Sequence, residues 1–243
     1  MNNHKTLSVL ITALGGEGGG TLMNWILDCA RKENFFVQGT SIPGVAQRTG
    51  STSYYLEICD QNFEKDKEPV LSLYPKPGRV DVVIASELLE AARVIEKGYV
   101  NPDKTLLITS SSRTYTNLEK SHLADGRFNE DKILATCNKM SKSFICLDLN
   151  KIALNHSTIV SATMFGALAG CHVFPWSKKT CETIFSKNDF GKNSLEGFNF
   201  TYSAINSDAS NIFDANSSAS SISVKEQLDD EVFLSSLPME LSN

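Results

Sequence analysis

The sequence contains little that would serve a membrane, a metal or a nucleic acid. Its first apolar run, residues 9–14, follows a polar start and is too short for a signal core or a bilayer span. No other segment approaches membrane length, which points to the cytoplasm and away from a membrane partner. Cysteine is sparse and dispersed (Cys29, Cys59, Cys137, Cys146, Cys171, Cys181), with no C-x-x-C. Neither a cluster-binding stretch nor a disulfide framework is indicated, and the thiols read as reduced, small apolar residues. The four histidines are equally scattered, so no metal site has sequence support. Lys and Arg nowhere form a cluster, and the net charge of −5 with a pI near 5.4 argues against nucleic acid as the main partner. Any phosphate the chain holds therefore belongs at one local site.

What is present is a regular alternation of apolar strands and amphipathic helices. Residues 7–14 are almost continuously apolar, as expected of a strand covered on both faces. A glycine-rich turn follows, and a helix starts near Thr21 with Leu22, Ile26, Leu27 and Ala30 on one face. Strands are expected over 35–40 and 51–58, and residues 68–74 are expected to pair with the latter. Residues 80–85 read as a buried strand, Ser86 as the cap of a helix over 87–97, and 105–110 as another short strand. Glu87 and Glu90 make that helix start acidic, in keeping with its dipole, and carry no catalytic assignment. Helices are expected over 129–142, 158–169, 178–187 and 193–204, with a strand over 144–149. The pattern predicts an α/β fold: three layers, α/β/α, with a mixed or mostly parallel sheet and a Rossmann-like first strand–glycine turn–helix unit. Residues 1–204 form the expected domain. Residues 205–243 are Ser/Asn-rich and then acidic, and are expected to be a flexible linker and tail.

The turn itself, Gly15-Gly16-Glu17-Gly18-Gly19-Gly20, is the strongest chemical signal. Its glycines allow close backbone approach, and the following helix aims free N–H groups at the same space, which suits a phosphate or carboxylate. Two standard assignments fail. The dinucleotide fingerprint would need glycine at position 21, which is Thr21, and an acidic residue ending the second strand, where only Gln38, Thr40 and Ser41 are available. A P-loop would need Gly-Lys-Ser/Thr after the turn, which is missing. Glu17 would repel a bound phosphate unless it points outward or pairs with a cation, for which Arg48 is one candidate. Arg48 can also hold phosphate or carboxylate oxygens in bidentate fashion.

The turn together with the loop Pro43-Gly44-Val45-Ala46-Gln47-Arg48-Thr49-Gly50 resembles the gamma-type domain of 2-oxoacid:ferredoxin oxidoreductases, within it the indolepyruvate oxidoreductase beta-subunit type. The family's G-x-G-G-x-G turn is matched except at Glu17, where glycine is usual. Its G-x-A-Q-R-G-G loop is matched except at Thr49. Residues 81–87, 105–110, 164–170 and 193–202 extend the resemblance over about 7–202.

The resemblance implies a cytoplasmic oxidoreductase in which a 2-oxoacid such as indolepyruvate is decarboxylated on thiamine diphosphate, electrons pass through iron–sulfur clusters to ferredoxin, and coenzyme A accepts the acyl group. Thiamine diphosphate and the clusters are implied for a large alpha-type partner subunit in a hetero-oligomer, leaving this chain inactive alone. The gamma-type domain is implied to help bind coenzyme A and assemble the complex, with Gly16, Gly18, Gly19 and Gly20 as the phosphate cradle and Gln47 and Arg48 beside it. Two alternatives stay open: a stand-alone nucleotide- or phosphate-ligand-binding module without catalysis, and a divergent subunit that keeps the fold but not the ligand.

Overall fold

The computed structural model describes residues 6–43, 51–60, 69–114, 128–187, 191–207 and 213–214. Its centre is a seven-stranded mixed sheet of order β2-β3-β1-β4-β5-β6-β7. The strands are β1 (Thr6–Leu14), β2 (Phe36–Pro43), β3 (Ser51–Cys59), β4 (Val82–Ala85), β5 (Leu106–Ser110), β6 (Ser143–Leu147) and the two-residue β7 (Phe213–Asp214). Strands β1, β4, β5 and β6 run parallel, while β3 is antiparallel to both β1 and β2, and β7 to β6. The helices are α1 (Gly19–Lys32), α2 (Leu88–Glu96), α3 (Glu130–Met140), α4 (Leu149–Asn155), α5 (Val160–Gly170), α6 (Lys178–Glu182) and α7 (Gly191–Ser207).

Alternate residues of the parallel strands feed two cores. Val9, Ile11, Val82, Ile84, Ile108 and Ile145 face α1, α5 and α7, which contribute Leu22, Ile26, Phe165 and Phe198. Leu10, Val83, Ala85, Leu107 and Phe144 face α2 and α3, which contribute Leu89, Val94, Ile133 and Cys137. The three-layer α/β/α expectation is borne out, and the continuous apolarity of the strands is explained: both faces are covered. Helix α5 is buried on all sides, and at Gly166 it touches the backbone of α7. A Cβ there would lie 2.4 Å from the carbonyl oxygen of Phe198. Burial also pushes the thiols of Cys137 and Cys171 up to about 12, so both stay protonated in the core.

Several expectations need correction. Residues 69–74 form no strand, because β3 already has β1 on one side and β2 on the other and offers no free edge. Instead the Ser72 amide donates to the Glu57 carboxylate at 2.6 Å. Ser86 does not cap α2. Glu87 does, accepting from the Glu90 amide at 3.0 Å, which frees the Ser86 hydroxyl for the site described below. Helix α4, capped by Asp148, occupies a stretch that the hydrophobic pattern left unassigned, and the helix expected over 178–187 divides into α6 and a 3-10 turn, Phe185–Lys187. Helix α7 continues past residue 204 to Ser207, and β7 falls within the stretch expected to be a linker. Among the described residues, no single helix is long and apolar enough to cross a membrane.

Because its Cβ would meet fixed backbone, Gly166→Ala is expected to destabilise the fold by about 1–3 kcal/mol. The urea midpoint should fall with no change in the slope of the transition.

Candidate functional site

The carboxyl ends of the four parallel strands lie along one rim of the sheet. From the neighbouring strands β1 and β4 the chain leaves to opposite faces, α1 to one and α2 to the other. This divergence is a topological switch point, and it opens a crevice outside the strand ends where ligands of such sheets bind. The glycine turn is the β1 exit from that rim, and Ser86 and Glu87 are the β4 exit.

Gly16 (φ +90°) and Gly18 (φ +78°) carry the turn's two left-handed residues. Gly16 is exposed, with nothing within 4 Å of where a Cβ would project. Gly18 is the N-cap of α1, so the cap has no side chain, and the helix has no acidic residue in its first turn. The helix begins two residues earlier than its apolar periodicity suggests, placing Gly19 and Gly20 inside its first turn. Both rest against the Tyr54 ring of β3: a Cβ on Gly19 would be 2.6 Å from Tyr54 Cε2. The first amides of α1 are thus free of any side-chain cap at the rim, as an anion cradle requires. Gln47 and Arg48 lie outside the described residues. Ser51, which follows residues 44–50, lies opposite Leu14 at the start of the glycine turn, while Pro43, which precedes them, lies on β2, one strand further out.

Among the described residues the partners of Glu17 are neutral, and Arg48, the cation considered for it, lies outside them. Its carboxylate accepts from the Leu14 amide at 3.1 Å, from the Ser86 hydroxyl, and from Asn150 Nδ2 at 3.4 Å. The network continues from Asn150 Oδ1 to Ser110 Oγ at 3.4 Å. Ser112 Oγ, 3.0 Å from Ser110 Oγ, lies 3.3 Å from the Ser86 carbonyl and closes a ring. The carboxylate is thereby held to the ends of β1 and β4 and to the start of α4.

Behind this ring sits a buried charged layer. Glu90 accepts from Thr12 Oγ1 at 2.9 Å and pairs with Arg93, while Glu87 pairs with Arg113 at 3.5 Å. Burial raises the Glu87 carboxyl above the ordinary carboxylate range, although backbone donors and Arg113 pull the other way. Both carboxylates are paired inside the fold. Nothing in the sequence singles out Ser86 as a partner of Glu17, nor Tyr54, Asn150 or Ser161. Each is brought to the rim by a different element, and no local motif announces it.

Fold and site together define a class: a three-layer α/β domain presenting an uncapped glycine turn to a switch-point crevice. The pyruvate ferredoxin/flavodoxin oxidoreductase family matches residues 8–198, and the chain belongs to that family. Indolepyruvate oxidoreductase subunit IorB of Pyrococcus horikoshii is 26% identical over 191 residues, covering 74% of this chain and 85% of that protein. The same subunit of Thermococcus kodakarensis is 25% identical over 190 residues, with the same 74% and 85% coverage. Among solved structures, pyruvate oxidoreductase subunit PORC of Thermotoga maritima aligns with a TM-score of 0.55 at 15% identity, over 84% of this chain and 96% of its own. The 2-oxoglutarate:ferredoxin oxidoreductase of Magnetococcus marinus, solved with 2-oxoglutarate, coenzyme A and succinyl-CoA bound, aligns with a TM-score of 0.55 at 15% identity, over 84% of this chain and 31% of that one. At this identity the structural likeness is one of fold.

Two consequences follow for solution behaviour. Glu17→Ala and Ser86→Ala should be non-additive, with a coupling of about 1–3 kcal/mol in a double-mutant cycle read from urea unfolding. For Glu87, a raised folded-state pKa means the folded chain holds that proton more tightly than the unfolded chain. Its contribution is complete below the ordinary carboxylate value and lost as pH rises through the raised one. Glu87→Gln should therefore flatten that part of the fall in urea midpoint across a pH series.

Proposed function

We propose that this chain is the non-thiamine subunit of an indolepyruvate- or arylpyruvate-type 2-oxoacid:ferredoxin oxidoreductase. In this reading it helps hold coenzyme A at the glycine turn and completes the assembly. A large partner subunit carries thiamine diphosphate and the iron–sulfur clusters, passes electrons to ferredoxin, and is required for any turnover. The observation that carries the reading is the family match over residues 8–198 on a domain whose glycine turn opens, uncapped, at the switch-point rim. Coenzyme A is a fitting ligand for that turn, since its phosphates need donors without counter-charge and the first amides of α1 offer them. In this reading Gln47 and Arg48, from the loop that precedes β3, line the same crevice, and Arg48 supplies a cation for the phosphate.

The chain's own residues bind and orient in this scheme. Transfer of the acyl group to the coenzyme A thiol, with loss of carbon dioxide and two electrons from the 2-oxoacid, belongs to chemistry that the partner's thiamine diphosphate supplies. Titration calorimetry of the chain with coenzyme A is expected to show saturable binding, weakened about tenfold or more by Arg48→Ala. Preference for a nucleoside triphosphate over coenzyme A would favour the stand-alone binding module instead, and no binding of either would leave an assembly subunit that has lost its ligand.

A further inference from the structure

The glycine turn faces a second helix end. Helix α5 starts at Val160 behind Ile159, which offers no side-chain cap, and its first turn holds no acidic residue. The N-termini of α1 and α5 abut. A Cβ placed on Gly18, the N-cap of α1, would come within 2.7 Å of Ser161 Oγ and 3.2 Å of Ser161 Cβ. Ser161 is fully buried, and its hydroxyl has no hydrogen-bond partner among the described residues.

Each of these helix ends carries a positive partial charge, and each presents amides with no intrahelical acceptor. Two such ends in contact repel, and an orphaned hydroxyl between them adds an unmet hydrogen bond at a buried position. The carboxylate nearest in sequence, Glu17, is committed to Leu14, Ser86 and Asn150 and relieves neither. An anion lodged between the two ends would answer all of these at once. Of the residues that precede the two helices, Gly16 is exposed and Ile159 is half exposed.

We infer that the N-termini of α1 and α5 form one phosphate-binding site, with Ser161 Oγ donating to the anion from below. The inference rests on the glycine turn being an anion site and adds its second half. The ligand class is a phosphate group, free or as part of an ester such as the pyrophosphate of coenzyme A. The size of Gly18 matters here for a reason beyond its backbone angle, because any side chain would displace Ser161 from the site.

Thermal unfolding of the full chain in sodium phosphate, against sodium chloride at equal ionic strength and pH, tests this directly. The wild type should gain stability saturably with phosphate. Ser161→Ala should unfold at or above the wild-type temperature in chloride, because it removes an orphaned group, yet respond to phosphate with about tenfold weaker apparent affinity. Phosphorus-31 line broadening of inorganic phosphate, with the two proteins at 25 °C or below, gives the same comparison independently of unfolding. Equal phosphate responses in wild type and Ser161→Ala, or no phosphate-specific response in the wild type, would overturn the inference. Binding of inorganic phosphate through Ser161 without binding of coenzyme A supports this site and counts against the coenzyme A reading. Binding of coenzyme A that Ser161→Ala leaves untouched does the reverse.

Discussion

The carboxylate of Glu17 is the tie on which the candidate site depends. From the middle of the glycine turn it reaches the last amide of β1, the hydroxyl that ends β4, and Asn150 at the start of α4. Through Asn150, Ser110 and Ser112 the tie extends to the end of β5 and back to Ser86. Four chain segments that leave the sheet at different points are thus held to one rim. In the family pattern this position is usually glycine. Here a longer side chain fastens the rim through the groups it accepts from.

Much of the fold was legible because the governing signal is local. Continuous apolarity over 7–14 and 80–85 requires strands covered on both faces, and the helical periodicity after the turn places α1 within two residues of its start. What escaped depends on contacts between distant segments. Residues 68–74 have the composition of a strand, but β3 has no edge left to pair with, which only the sheet order reveals. Ser86 has the right type and place for a cap, yet Glu87 takes that role because Ser86 is drawn to a residue 69 positions away. Helix α4 is short and carries little periodicity of its own, being fixed by its Asp148 cap and by packing of Leu149 and Ala153.

The site divides in the same way. The glycines of the turn were evident as candidates from composition and spacing, and the structure places them at the rim where the parallel strands end. Ser161 belongs to an apolar, small-residue helix in which a serine draws no attention. It becomes informative only when its orphaned hydroxyl is found against Gly18. Family membership and geometry then converge: a domain of the oxidoreductase family presents an α1 N-terminus without a side-chain cap at the rim where the parallel strands end.

The most direct measurement is anoxic affinity capture of the tagged chain from its native host, with the eluate assayed for dye reduction dependent on both an arylpyruvate and coenzyme A. The account predicts recovery of a large iron–sulfur, thiamine-diphosphate-containing subunit together with that activity. Recovery of the chain alone and inactive, with no such partner, would contradict it.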